Sequence, residues 1–102
     1  MQIIKINELP VTRSPRGPKI RNVFSSEKTT ITNVLLDPGG ILPMHTTPVD
    51  TIFYVREGSG YVLIGDERER VVAGDMVISP KNVPHGLEAG EEGFSVLVFK
   101  LG

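Results

Sequence analysis

The 102-residue chain is long enough to bury one core and too short for two, and its 39% hydrophobic and 23% charged residues are ordinary for a globular protein. Eleven basic residues stand against twelve acidic ones, so no extended field attracts nucleic acid or an anionic membrane surface. Cysteine is absent, which removes disulfides and thiolate metal ligands, and there is neither a signal-like apolar segment nor a membrane-spanning run. We therefore expect one soluble, cytoplasmic domain over residues 1–102, with no nucleic-acid or membrane partner.

Residues 2–7 (QIIKIN) carry isoleucines at 3, 4 and 6 and read as a short first strand. Residues 9–19 contain Pro10, Pro15, Gly17 and Pro18, which exclude a helix or an inner strand. Arg13, Arg16, Lys19 and Arg21 make this stretch locally cationic. It reads either as a solvated connection or as an arm that packs on a partner subunit or closes over an anionic ligand. Residues 20–25 and 29–37 are rich in β-branched side chains and form a hairpin. Asp37-Pro38-Gly39-Gly40 is a turn by composition. Strands follow at 41–45, 51–57 and 61–65, the last two joined as a hairpin across Gly58-Ser59-Gly60. After Gly65-Asp66-Glu67 come strands at 68–73 and 76–79, with Gly74-Asp75 as the hairpin turn between them. Residues 80–84 make a loop that delivers His85, and 93–101 form a closing strand. No window shows helical periodicity. Short strands separated by frequent turn signals indicate an all-β sandwich or barrel.

The runs Ile52-Phe53-Tyr54-Val55 and Tyr61-Val62-Leu63-Ile64 do not alternate apolar with polar, as expected of strands covered on both sides. With Phe53, Val55, Val62 and Ile64 inside, Ile52, Tyr54, Tyr61 and Leu63 form an outer patch. A homodimer interface fits that patch, and cover by the N-terminal strand within one chain is the alternative. Phe24, Phe53, Phe94 and Phe99 read as core residues.

The chain has two histidines, His45 and His85, each placed after a Gly-initiated strand. A lone buried histidine is more often a hydrogen-bonded core residue than a ligand. Two that enter one barrel shift the balance, because neutral imidazole is the commonest protein metal ligand. Two histidines, one carboxylate and open positions are the arrangement of non-haem Fe(II) oxygenases, and Mn, Ni, Cu or Zn occupy similar sites.

Gly39-x5-His45-x-Thr47-x3-Thr51-x6-Gly58 resembles the first motif of the cupin family, which has a glycine, two histidines, a glutamate and a final glycine. Gly74-x5-Pro80-x-Asn82-x2-His85 resembles the second. The resemblance implies a double-stranded β-helix, the jelly-roll barrel, with a pocket inside it. It also implies that His45 and His85 fall on two metal-ligand positions. Thr47 and Thr51 stand where the second histidine and the glutamate are expected, Asn82 replaces a glycine and Ala89 an asparagine. Asp50, one residue before the glutamate position, is a candidate carboxylate ligand if its loop turns it inward, and a turn cap if not. Thr47, Thr51, Phe53 and Met44 are candidate pocket residues.

Three functions follow from these residues. One is a metal-dependent dioxygenase or isomerase holding a divalent transition ion (Fe, Mn, Ni, Cu or Zn) on His45, His85 and Asp50. Another is a non-catalytic module that binds a small ligand with a degenerate metal site. The third is a structural domain whose histidines bond to backbone or water.

Overall fold

The computed structural model describes all 102 residues. A 3-10 turn, Ile6–Glu8, precedes eight strands: β1 (Thr12–Arg13), β2 (Lys19–Ser25), β3 (Thr29–Leu36), β4 (Ile41–His45), β5 (Asp50–Ile64), β6 (Glu67–Val72), β7 (Met76–Ser79) and β8 (His85–Leu101). No helix is long and apolar enough to cross a membrane.

The architecture follows from β5 and β8, which pair antiparallel along their whole lengths and belong to two sheets at once. The first half of β5 pairs with β7 and the second half with β6. In the same way, β8 pairs with β4 through its first residues and with β3 through its last. A larger sheet therefore runs β1-β2-β3-β8-β5-β7, and a smaller one runs β4-β8-β5-β6. Leu42, Val62, Val71 and Leu87 from the smaller sheet meet Val34, Leu36, Phe53, Val55, Val96 and Val98 from the larger one. This is the jelly-roll barrel, and the antiparallel pairing alternates each strand between core and outer face.

Three expectations change. The Gly58-Ser59-Gly60 segment is not a hairpin turn; β5 continues through it, with register shifts against β8 just before it and within it. A Cβ on Gly58, whose φ is 79°, would lie 2.1 Å from the Gly93 carbonyl oxygen, and one on Gly60 would lie 2.2 Å from that of Glu88. These glycines let two bent strands cross closely, a need that looks like turn composition in the sequence. The same crossing carries β8 back to His85, so the closing strand is longer than residues 93–101, with Glu91 and Glu92 exposed on it. Gly74-Asp75 does turn the chain, but β6 and β7 lie end to end along β5 and do not pair with each other. Residues 2–7 join no sheet, and a two-residue strand, β1, forms instead inside the proline-rich stretch.

The outer face of the larger sheet is apolar, as Ile52 and Tyr54 suggested. Register partners line up Phe24, Ile31, Phe99, Ile52 and Ile78 across five strands. Phe24 and Ile78 are 41% and 58% exposed, so Phe24 and Phe99 belong to this face rather than to the core. Beside the row, the N-terminal segment is tied down by a polar cluster. Arg56 donates to Asn7 and to the fully buried Asn33, which also accepts from Arg21 and donates to Ser95 Oγ at 3.0 Å.

Candidate functional site

A slip in the β4–β8 register between Leu42 and His45 sets His45 directly opposite His85. Cross-strand partners share a face, so residues forty positions apart in sequence become side-by-side neighbours on one wall. Their ring centroids are 4.7 Å apart and the planes nearly perpendicular, at 86°. The Phe53 ring meets the His85 ring edge-on at 5.1 Å.

The two imidazoles are held differently. His85 is 2% exposed and both of its nitrogens face hydroxyls: Nδ1 lies 2.8 Å from Ser79 Oγ, and Nε2 lies 3.2 Å from Thr47 Oγ1. A neutral imidazole has one donor and one acceptor nitrogen, so one hydroxyl donates to it and the other accepts from it. His45 Nδ1 lies 2.8 Å from the Pro43 carbonyl. That oxygen can only accept, so Nδ1 carries the proton and Nε2 presents a free lone pair.

Burial lowers both pKa values. His85 falls from 6.5 to about 4, mainly because its ring is desolvated, with His45, Lys100 and Arg16 adding like charge. His45 is lowered as well, by burial first, partly offset by its bond to Pro43. At neutral pH both rings are uncharged.

The rings open into a cavity of about 480 Å³ walled by Ile20, Val34, Leu42, Phe53 and Val98, with Arg16, Lys100 and the Ser14-Pro15 turn also lining it. Of the sequence-expected pocket residues, only Phe53 lines it with the two histidines. Thr47 is buried beneath His85 rather than on the wall. Thr51 is fully buried, its hydroxyl donating to the Val49 carbonyl at 3.5 Å. Met44 points outward, 44% exposed and packed over Gly86, because its neighbours Leu42 and His45 take the inward positions of β4 across the register slip.

Asp50 does not join the histidines. Its Oδ1 accepts the Lys81 backbone N–H at 2.9 Å, the turn-cap role of a short carboxylate. Next to it, Asn82 donates its N–H to the Thr47 carbonyl at 2.8 Å, so the 80–84 loop holds the Thr47 loop in place. Asn82 has φ 65°, a left-handed conformation that glycine adopts freely and asparagine tolerates, so its replacement of a motif glycine keeps the backbone shape.

No group of three His, Asp or Glu side chains converges anywhere in the chain. For a divalent ion the donor set is poor: one open imidazole nitrogen, a second imidazole engaged by hydroxyls at both nitrogens, and no carboxylate. These residues do not fit a resident metal. Sequence reasoning missed Ser79 and Lys100, and it carried Arg16 only as part of the cationic stretch that could close over an anionic ligand. Ser79 offered one signal: it ends an otherwise apolar strand segment, MVIS, at the position paired with Thr51.

Comparison with known proteins agrees with the fold. Oxalate decarboxylase OxdC of Bacillus subtilis is 33% identical over 88 residues, covering 81% of this chain but only 23% of that protein's length. A structure of the Bacillus subtilis oxalate decarboxylase described with Mn(II) centres superposes at TM-score 0.81 and 26% identity, covering 99% of this chain and 30% of the other. KdgF from a Halomonas species shares the fold at TM-score 0.88 and 23% identity, covering 100% of this chain and 94% of the other. The family described as Cupin domain matches residues 32–100, which contain both glycine-to-histidine motifs, the shared strand β5 and all but the last residue of β8. The chain belongs to the cupin family.

Proposed function

We propose that this chain binds a small molecule at the open end of the barrel, against two uncharged imidazoles, without a resident divalent metal. The observation that carries this reading is the engagement of both His85 nitrogens by Ser79 and Thr47 while Asp50 bonds the Lys81 backbone. An apolar cavity with a few convergent polar groups suits a small organic ligand, and its volume of about 480 Å³ falls within the roughly 300–1,000 Å³ of such pockets. His45 Nε2 is the group available to accept a hydrogen bond, or a proton, from that ligand.

The second reading is a metal-dependent enzyme. It draws on the side-by-side imidazoles and on the likeness to a decarboxylase with Mn(II) centres. Elemental analysis of untagged protein, before and after incubation with Fe, Mn, Ni, Cu and Zn, separates the two. We expect far less than one ion per chain, and we expect Thr47→His, which restores an imidazole at the motif position, to raise metal uptake. One ion per wild-type chain, lost in both His45→Ala and His85→Ala, would overturn the metal-free reading and favour the second.

We also propose a homodimer formed through the outer row from Phe24 to Ile78, with burial of those exposed side chains as the driving term. Sedimentation velocity should give twice the chain mass, and Ile78→Lys should shift it to monomer.

A further inference from the structure

We propose, on the reading that the barrel mouth is a ligand pocket, that its ligand is a small organic anion: an apolar body of a few carbons with one anionic group held between Arg16 and Lys100. Lys100 lies on the inward parity of β8, continuing the face of Phe94, Val96 and Val98. The first three positions of that series are core and the fourth, at the open end, is a cation. Lys100 is exposed at the rim and no carboxylate pairs with it, so an anion entering the mouth would be its first partner.

Arg16 lines the same cavity from the turn before β2. That turn is knitted rather than loose. Ser14 bonds the Pro18 carbonyl through its hydroxyl at 2.7 Å and its N–H at 2.9 Å, and the Gly17 N–H donates to Ser14 at 3.0 Å. No acidic side chain lines the cavity. Neither cation has a partner either, because the chain's one ion pair is Arg68–Glu88 on the smaller sheet. The mouth is therefore a positive field in a molecule of net charge −1, focused by an apolar wall.

The layering gives the ligand an orientation. Ile20, Leu42 and Phe53 take the apolar body, and the charged end stays outward between the two cations. Arg16 and Lys100 also depress both imidazoles, so an anion that masks them should let the rings protonate more easily.

The experiment titrates the 15N-labelled chain at pH 7 with benzoate, phenyl phosphate and the neutral isostere benzamide, following the amides of Ile20, Val34 and Val98. We expect the anions to bind about tenfold tighter than benzamide or better, with the gap shrinking at high salt. We expect the Arg16→Gln/Lys100→Gln double variant, shown folded by its unchanged strand resonances, to bind benzoate and benzamide alike. The stronger of the two anions identifies a carboxylate or a phosphate head. Equal binding of benzoate and benzamide by the wild type would remove the anion and leave the pocket reading standing. No perturbation of the pocket amides by any of the three at millimolar concentration would remove both.

Discussion

His45 and His85 are register partners on neighbouring strands, yet they live in different surroundings. His85 begins the long strand that both sheets share, is almost fully buried, and has a hydroxyl on each nitrogen. His45 ends a short strand that pairs on one side only, touches the cavity, and leaves Nε2 open. The same side chain is therefore held at both nitrogens at one position and left with an open nitrogen at the other. Adjacency across two strands does not mean equivalence in role. What decides it is how many hydrogen-bonding partners the fold brings to each ring.

Removing the rings should separate them first and most widely. His85→Ala leaves two buried hydroxyls without a partner and a void beside Phe53, so we expect a loss of about 2–4 kcal/mol in urea unfolding. His45→Ala should cost less than about 1 kcal/mol while weakening ligand binding at the mouth. Equal losses for the two variants would erase the contrast.

A smaller effect is expected with pH. Unfolding returns the His85 ring to its ordinary value of 6.5, whereas in the fold it resists protonation until about pH 4. Below pH 6.5 the unfolded chain therefore takes up a proton that the native chain refuses. This contribution to stability is whole above pH 6.5 and declines as pH falls towards 4, with a slope of at most about 1.4 kcal/mol per pH unit. His45, also lowered, acts in the same direction. The C2–H resonance of His85 should titrate near pH 4 in the wild type and at higher pH in His45→Ala, where one neighbouring charge is gone. A His85 midpoint at or above 6.5 would contradict its burial.

Much of the barrel was legible in the sequence because turn glycines and apolar runs report strands directly, and the two glycine-to-histidine spacings report how the halves relate. Gly58-Ser59-Gly60 misled because a crossing of two backbones and a tight turn ask for the same residue, and only the partner strand distinguishes them. At the site, the convergence of His45 and His85 with Phe53 could be read from the motifs. The orientation of Asp50 could not, since loop residues escape the two-residue alternation of strands. Ser79 and Lys100 were hidden for a different reason. Each is an ordinary polar residue whose meaning comes from the face it occupies, and that face is set by pairings with distant residues.

The placement of β8 at the heart of both sheets also bears on how the protein is made. Strand β4 has no pairing partner other than β8, and β3 and β5 each keep a free edge until it arrives. During synthesis neither layer has its middle until residues 85–101 have left the ribosome. Nearly every sheet contact that closes the barrel is long-range, which is the topology of slow folding. The nascent chain thus waits with open, apolar edges for β8, and the stretch that supplies the buried histidine is also the stretch that ends this exposure.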